Sequence, residues 1–195
     1  TMQHSEPGDP AMVGFARTAK ISGLLPAREP ADVIRARRMD YFRSMAAGQG
    51  PRLAVIEDID YPNCIAGWWG EIHVAVHKGL GQVGAITNGV MRDLDVMDAG
   101  FPVLAGSIGP SHGFVHVVEI GGPVSLMGMH ISQDELMHAD RHGAIVIPNE
   151  IIADLKQAIE TVIANEAIVL GPARAPGFDI ERLEKVWAEF EAART

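Results

Sequence analysis

The stretch that decides the fold is residues 67–105, GWWGEIHVAVHKGLGQVGAITNGVMRDLDVMDAGFPVLA. Its apolar and glycine residues fall into alternating segments. They predict, in order, a turn over 67–70, a helix over 71–78, a glycine-rich connection over 79–84, a strand over 85–87, a second helical stretch after Arg92 and Asp93, and a strand over 102–105. Strands that alternate with helices indicate an α/β fold. An Arg-Asp pair after a buried strand lies where a βα connection places functional residues.

The rest of the chain continues this alternation. Apolar runs of strand length occupy residues 13–21, 52–57, 114–119, 122–126 and 144–147. Helical periodicity occupies residues 32–47, 149–165 and 180–193, whereas residues 134–140 fit no more than a turn. We therefore predict one domain over residues 1–195, with an irregular arm over 1–12 and a C-terminal helical extension over 172–195. The last helix is expected to pack on a neighbouring subunit or to cap the core.

The composition argues against several classes of protein. A net charge of −9 disfavours a non-specific nucleic-acid binder, which needs a basic face. No apolar run reaches the length that spans a membrane, and no signal peptide is visible. Cys64 is the single cysteine and allows no internal disulfide. We expect a cytoplasmic protein with neither nucleic acid nor membrane as a partner.

Two motifs compete with the Arg-Asp pair. Residues 79–84, GLGQVG, match the dinucleotide fingerprint, but that fingerprint must follow a strand and open a helix. Here the predicted order is reversed, so we interpret the motif as a helix end and a tight turn. His73 and His77 share one helix face, as two zinc ligands do, yet no third ligand is obvious. We interpret His77 as structural or solvated.

Other polar residues allow two interpretations each. Asp58 and Asp60 follow a predicted strand and favour a polar surface loop over a metal site. His138 and His142 flank Asp140, and a structural role is again favoured over a metal cluster.

Three further sets of residues also allow two interpretations each. Cys64 is more typical of a buried small hydrophobe than of a nucleophile. The arginines of the predicted helix over 32–47 form an anion site or, as we favour, a solvated helix face. His112 and His116 alternate on an apparent strand and can reach a pocket, and the sequence does not decide between the two roles.

The order of the motifs resembles the RraA-like family, which includes the 4-hydroxy-4-methyl-2-oxoglutarate (HMG) aldolases. The resemblance rests on Gly70-Glu71, a helix, Gly-x-x-Gly at 81–84, a strand, the x-Gly-x-x-Arg-Asp segment that ends at Asp93, and Gly-Phe-Pro-Val at 100–103. It continues in residues 138–148, HADRHGAIVIP, and covers roughly residues 13–166.

The resemblance implies a fold and an assembly. The expected architecture is a single layered α/β domain of the RraA-like, swivelling α/β/β/α type. Members usually form a homotrimer or a dimer of trimers, a hexamer, with active sites between subunits. The family usually has a helical region before its first strand, and this chain has almost none.

The resemblance also implies a reaction. It suggests a divalent-metal-dependent lyase that cleaves a 2-oxo acid and gives pyruvate through a metal-stabilised enolate, as an aldolase or an oxaloacetate decarboxylase. The metal, Mg²⁺ or Mn²⁺, is a hard cation that takes few carboxylates and several waters. Asp93 matches the family's direct metal ligand, and Glu71 matches the acid that holds a metal-bound water. The family's commoner residue at the latter position is Asp.

Substrate contacts follow from the same match. Arg92 would bind the 2-oxo or carboxylate oxygens and stabilise the enolate. The backbone of Gly70, Ile72 and His73 opens a helix and would bind the pyruvyl carboxylate. The family usually has Leu at 72 and 73, so His73 adds a titratable ring. Glu166 is the nearest match to an acid contributed by a neighbouring subunit.

Two alternatives to the enzyme remain open. The family's namesake inhibits ribonuclease E by protein–protein contact and lacks the motif aspartate, so Asp93 argues for the enzyme. The Arg92-Asp93 pair on its own also fits a surface ion pair or a helix cap. A structural oligomer with a relict metal site is the third possibility. One further departure is Asn88, which stands where Asp is common.

Overall fold

The structure is a computed structural model that describes residues 2–5, 8 and 11–194. The chain divides into two compact units, Thr1–Pro148 and Asn149–Thr195. In the first unit the strands are β1 (Gln3–His4), β2 (Met12–Ser22), β3 (Arg52–Asp58), β4 (Gly67–Trp69), β5 (Gln82–Thr87), β6 (Val90–Met91), β7 (Val103–Ala105), β8 (Ser107–Ile108), β9 (His116–Ile120), β10 (Val124–Leu126), β11 (Met129–Ile131), β12 (Leu136–Asp140) and β13 (Gly143–Ile147). Its helices are α1 (Ala31–Ala46) and α2 (Glu71–Gly79).

The main sheet of the described chain has parallel strands at its centre and antiparallel strands around them. Its order is β1-β7-β5-β3-β2-β12-β13, and β9 also pairs with β2. Strands β2, β3, β5 and β7 are parallel neighbours, whereas β1, β9, β12 and β13 pair antiparallel. A second, three-stranded sheet joins β4, β6 and β8 in parallel. The prediction of an α/β fold is confirmed.

The core explains why β3 is almost wholly apolar. Its residues 53–56 are all buried, because a central parallel strand is covered on both faces. Ala54 and Ile56 face one cluster, which includes side chains of α1 and α2. Leu53 and Val55 face the other cluster, which the β10–β11 hairpin completes. The first unit therefore consists of helices, a sheet and a covering hairpin.

Several predicted boundaries are corrected. The helical stretch predicted after Asp93 is a series of turns, since exposed Leu94 and Val96 find no core to pack against. The turn predicted over 67–70 begins as β4, because both of its tryptophans are buried. Residues 134–140 contain β12, which lies between β2 and β13 and buries Met137 and Ala139 in the core. The predicted arm over 1–12 contains β1, which pairs with β7, and Met12 begins β2; residues 1, 6, 7, 9 and 10 lie outside the described residues.

The second unit is a pair of helices. A 3₁₀ turn (Asn149–Ile151) leads into α3 (Ile152–Ala173), which runs eight residues past its predicted end at residue 165. Helix α4 (Ile180–Ala193) is confirmed, and the Asp179 side chain caps it by accepting from the Arg182 backbone N–H at 2.9 Å. The helices contact each other, and Asn165 Nδ2 donates to the Ala193 carbonyl at 3.3 Å. In the residues that the structure describes, no helix has the length and apolar character needed to cross a membrane.

Candidate active site

The three-stranded sheet brings the two halves of the predicted site together. Strands β4 and β6 are parallel, so the loops that follow them leave the same edge. The backbone N–H of Arg92, just after β6, donates to the carbonyl of Trp69, the last residue of β4, at 2.9 Å. The Arg92-Asp93 pair thus lies against Gly70 and the first turn of α2.

Gly70 leaves space for the two charged side chains. A Cβ built on this residue would lie 2.6 Å from Asp93 Oδ2 and 2.9 Å from Arg92 Cζ. The backbone of Gly70 is extended (φ −163°) and suits any residue, so conformation imposes no glycine here. The motif glycine therefore permits the close approach of the two charged side chains to the helix start.

Asp93 is held by an unusual backbone. Its φ of 60° lies in the left-handed region, which Asp and Asn tolerate better than other residues with a Cβ. Its carbonyl accepts from the N–H groups of Val96 and Met97, each at 3.1 Å. Its Oδ2 forms an ion pair with Arg92 and accepts from the Glu71 N–H at 3.4 Å. The turn after β6 thereby fixes the carboxylate at the N-terminus of α2.

The charged pair is accessible. Side-chain exposure is 23% for Arg92 and 30% for Asp93. No hydrogen bond from the described residues reaches Asp93 Oδ1, so this oxygen is available to a ligand. Glu71 is exposed at the adjacent start of α2. The Gly70 N-cap has no side-chain hydrogen bond, and the intrahelical ladder starts with Val74 N donating to the Gly70 carbonyl at 3.0 Å. The N–H groups of Ile72 and His73 are therefore open to an anion.

These side chains fit a hard divalent cation. No group of three or more His, Cys, Asp or Glu side chains in the described chain could hold a metal ion. Magnesium does not need such a cage, because it is commonly bound by one or two carboxylates and keeps several waters. Asp93, with a free Oδ1, and the adjacent Glu71 supply that type of donor set.

His73 covers the inner side of the site. Its ring lies on Trp68, with centroids 4.0 Å apart and planes at 68°. Burial lowers the pKa of His73 to about 3, and the charges of His77, Arg38 and Arg92 add to the effect. The ring is therefore neutral at physiological pH, and its buried Nδ1 has no hydrogen-bond partner in the part of the chain that is described.

His77 is a structural residue, which agrees with one of the two roles favoured for it. Its Nδ1 bonds the His73 carbonyl, so the Tyr41 hydroxyl donates to Nε2 at 2.6 Å. The Trp68 indole N–H donates in turn to the Tyr41 oxygen at 3.4 Å. Burial lowers the pKa of His77 to about 4. Both ring nitrogens are engaged, so His77 is no zinc ligand in this arrangement.

A cleft of about 570 Å³ opens beside Arg92. Trp68 and His73 line it on one side, and residues 112–116 line it on the other. The sequence left the role of His112 and His116 open, and both lie in this lining. Arg38 of α1 joins them, a placement that helical periodicity alone did not reveal.

Asn88 holds a second polar network, which sequence reasoning missed. Its Nδ2 donates to the Asp58 carbonyl at 3.0 Å, and its Oδ1 accepts from the Asp58 N–H at 2.7 Å. An aspartate cannot make the first bond, which explains an amide at this position. Asp58 is 1% exposed and burial raises its pKa, so the surface-loop interpretation is wrong for Asp58.

Asp60 and Cys64, in the loop that follows Asp58, also do not form an open site. Asp60 accepts from the N–H groups of Gly23 and Leu24 at 2.7 and 2.9 Å and from the Ser22 hydroxyl. Cys64 is half-buried, and burial with the Asp58 charge raises the pKa of its thiol to about 12. Such a thiol is not a poised nucleophile.

The remaining predicted residues are His142, Asp140 and Glu166. His142 and Asp140 form a local turn, in which the His142 N–H donates to Asp140 Oδ1 at 2.8 Å. Glu166 lies exposed on α3 in the second unit, so its role stays a prediction.

The fold and the site together define a class of protein. It is an α/β unit with parallel strands, in which an Arg-Asp pair lies beside a helix N-terminus. A family model described as RraA-like, Aldolase/RraA, matches residues 1–146, which is more than half of the chain. The chain therefore belongs to the RraA-like family. The family includes both aldolases and RNase E inhibitors, and its members are typically oligomeric.

Solved structures agree on the fold. An uncharacterized protein from Pseudomonas syringae pv. tomato str. DC3000 is 22% identical, with a TM-score of 0.69 over 96% of this chain and 80% of that one. RraAS2 from Streptomyces coelicolor, an unusual member of the RNase ES inhibitor RraA family, is 22% identical, with a TM-score of 0.63 over 80% of this chain and 75% of that one. The RNA-processing inhibitor RraA from Thermus thermophilis is 14% identical, with a TM-score of 0.55 over 75% and 81%. No curated protein matches the sequence.

Proposed function

We propose that this protein is a divalent-metal-dependent lyase that cleaves a 2-oxo acid, by retro-aldol cleavage or decarboxylation, and releases pyruvate. The observation that carries the proposal is the Arg92-Asp93 pair, which lies against the open N-terminus of α2 and whose arginine lines a cleft. A cation, a carboxylate with a free oxygen and unpaired N–H groups are the parts that a developing enolate requires.

The substrate's pyruvyl half is bound by charge and by the backbone. Arg92 donates to the 2-oxo oxygen or the carboxylate, and its planar fork allows two parallel bonds. The N–H groups of Ile72 and His73, with the positive end of α2, receive the carboxylate. The rest of the molecule extends into the cleft.

Asp93 and Glu71 would hold Mg²⁺ or Mn²⁺ at this place, Asp93 directly and Glu71 through a water. The bound cation would supply Lewis-acid stabilisation of the charge that builds on the 2-oxo oxygen. Arg92 strengthens the same stabilisation, because its guanidinium is always charged. Neutral His73 adds no charge, and its ring with Trp68 keeps water from one side of the site.

We further propose a homo-oligomer, a trimer or hexamer, in which Glu166 positions a proton-carrying water in a neighbouring subunit's site. Exposed apolar residues support an assembly: Ile159, Val162 and Ile163 are exposed along α3. Glu166 lies on the same helix. Light scattering that gives a monomer mass would contradict this part of the proposal alone.

The direct test measures pyruvate release from oxaloacetate and from HMG, with Mg²⁺ or Mn²⁺ and with a chelator. Asp93→Asn is the informative variant, because Asn tolerates the positive φ of this position whereas Ala is strained there. Asp95→Asn, an exposed neighbour, is the matched control. Activity that requires metal, disappears in Asp93→Asn and survives in Asp95→Asn supports the lyase.

The competing function is regulation of a ribonuclease by protein–protein binding. The names of the RraAS2 and Thermus thermophilis proteins favour it, although the likeness to both is one of fold. Binding to an RNase E-type enzyme without turnover of any 2-oxo acid, and without metal binding, would favour the regulator.

A further inference from the structure

Retro-aldol cleavage and decarboxylation of a 2-oxo acid differ in the fate of one proton. Both reactions break the C3–C4 bond and leave the enolate of pyruvate. Decarboxylation releases CO₂ and needs no base, whereas the retro-aldol step requires a group that takes the proton of the 4-hydroxyl. A proton acceptor in the cleft that Arg92 lines would therefore separate the two reactions that the proposed function leaves open.

The cleft offers few groups that can accept a proton. Its described lining contains no Asp, Glu, Lys, Tyr or Cys, and its arginines stay charged. The lining does contain three histidines, His73, His112 and His116. Burial lowers the pKa of His73 to about 3, whereas a general base works best with a pKa near the working pH. The choice therefore lies between His112 and His116.

Both of these rings present a nitrogen that can accept a proton. His112 Nδ1 bonds the Gly113 carbonyl at 2.9 Å, and His116 Nδ1 bonds the Phe114 carbonyl at 2.9 Å. Because a carbonyl only accepts, Nδ1 carries the hydrogen in each neutral ring and Nε2 carries the lone pair. No hydrogen bond from the described residues reaches either Nε2, so both lone pairs are available to a substrate.

The segment before β9 brings the backbone of His112 close to Arg92. The carbonyl of Ser111 accepts from the Gly67 N–H at 2.7 Å, which ties this segment to β4. A Cβ built on Gly67 would lie 3.2 Å from that carbonyl oxygen and 3.1 Å from Arg92 Cδ. The backbone that leads into His112 therefore passes beside the arginine side chain that is proposed to hold the pyruvyl half.

His116 has different backbone neighbours. It is the first residue of β9 and pairs with Ser22 of β2. The Ser22 hydroxyl donates to the Asp60 carboxylate, so His116 borders the loop after β3. His112 is therefore the better-placed base for a substrate that Arg92 binds.

We infer that His112 is the base of a retro-aldol reaction, so that the site cleaves 4-hydroxy-2-oxo acids; the inference rests on the proposed function. His112 Nε2 takes the proton of the 4-hydroxyl as the C3–C4 bond breaks and C4 becomes a carbonyl carbon. The electron pair of the broken bond passes to C3 as the enolate of pyruvate, and a water protonates C3. His112 is exposed, so its imidazolium returns the proton to solvent. No oxidant or reductant is needed.

The test compares cleavage of HMG with decarboxylation of oxaloacetate by the same protein. His112→Gln should lower kcat for HMG by about 10²-fold, a usual contribution of a general base, and leave kcat for oxaloacetate within about threefold. His130→Gln replaces an exposed histidine of the β10–β11 hairpin outside the cleft lining, and this control should change neither rate. Added imidazole should restore HMG cleavage by His112→Ala about tenfold, because it replaces the missing base. Cleavage that imidazole does not restore would assign His112 a structural role and overturn the inference.

The two substrates also separate this inference from the proposed function. Equal losses for both substrates in His112→Gln, or no loss for either, overturn the inference and leave the lyase intact. A selective loss of HMG cleavage in His116→Gln, with His112→Gln unaffected, overturns it in the same way. Decarboxylation by a native protein that does not cleave HMG leaves a lyase without the retro-aldol step and overturns the inference alone. A native protein that turns over neither substrate overturns both.

Discussion

Two acidic loops in the first unit share a sequence pattern and differ in their chemistry. One carries Asp58, the last residue of β3, and Asp60 just after it; the other carries Asp93 after β6. In the β3 loop, the Asp60 carboxylate accepts from two backbone N–H groups and a hydroxyl, and Asp58 is buried. In the β6 loop, the Asp93 carboxylate has a free oxygen and adjoins a cleft. Acids after a strand therefore indicate a site only where their oxygens are left open.

The sharpest contrast comes from removing one carboxylate charge from each loop. We expect Asp93→Asn to lower kcat/KM for pyruvate release by about 10³-fold, since it removes the proposed metal ligand and the charged partner of Arg92. Its unfolding free energy should change by less than about 0.5 kcal/mol, because the side chain is part-exposed and Asn accepts the backbone conformation. Steady-state kinetics and urea unfolding measure both quantities.

Asp60→Ala should show the opposite pattern. It removes the acceptor of three hydrogen bonds and should cost about 1–3 kcal/mol of unfolding free energy, with kcat within about threefold of native in the folded protein. A large loss of stability in Asp93→Asn, or a selective loss of catalysis in Asp60→Ala, would contradict the assignment of a catalytic role to the β6 loop and a structural role to the β3 loop.

The second prediction concerns the space that Gly70 leaves for the charged side chains of the β6 loop. In Gly70→Ala, the new Cβ must displace the Asp93 carboxylate and the Arg92 guanidinium. We expect about a 10–100-fold loss of kcat/KM, because small displacements of positioned groups are costly. Gly79→Ala is the matched control, since a Cβ there meets no atom within 4 Å and φ is not positive. Equal activity in both variants would show that the close approach has no catalytic role.

The third prediction concerns the side-chain amide of Asn88, which bonds the backbone of Asp58 in the β3 loop. Asn88→Asp removes the donor to the Asp58 carbonyl and adds a carboxylate beside a buried one. We expect a loss of about 2–3 kcal/mol in unfolding free energy at pH 7. The loss should shrink as the pH falls towards 4, where the new carboxyl becomes protonated and can donate again. A pH-independent loss would point to packing instead of charge.

The sequence predicts the strands and helices that carry the two loops better than it predicts the chemistry of their acidic residues. Apolar runs locate β3 and β5, and the glycine pattern locates the start of α2, because burial and capping leave local signals. Asp93 is found from its motif. The burial of Asp58 and the position of Arg38 in the cleft depend on which elements pack together, and no spacing within the chain encodes that. The helix predicted after Asp93 fails for the same reason, since Leu94 and Val96 are exposed and have no surface to cover.

The last prediction concerns His73 and His77, the two histidines of α2. Their folded pKa values, about 3 for His73 and about 4 for His77, lie below the ordinary value of 6.5. The unfolded chain therefore binds more protons between pH 4 and 6.5, so stability is fully present above pH 6.5 and is lost as the pH falls. Each histidine contributes a slope of about 1.4 kcal/mol per pH unit in that window. Urea unfolding from pH 4.5 to 7.5 should show this slope, and His77→Gln should remove about half of it. An unchanged slope in His77→Gln would mean that His77 is protonated in the folded protein, which its bond from Tyr41 to Nε2 contradicts.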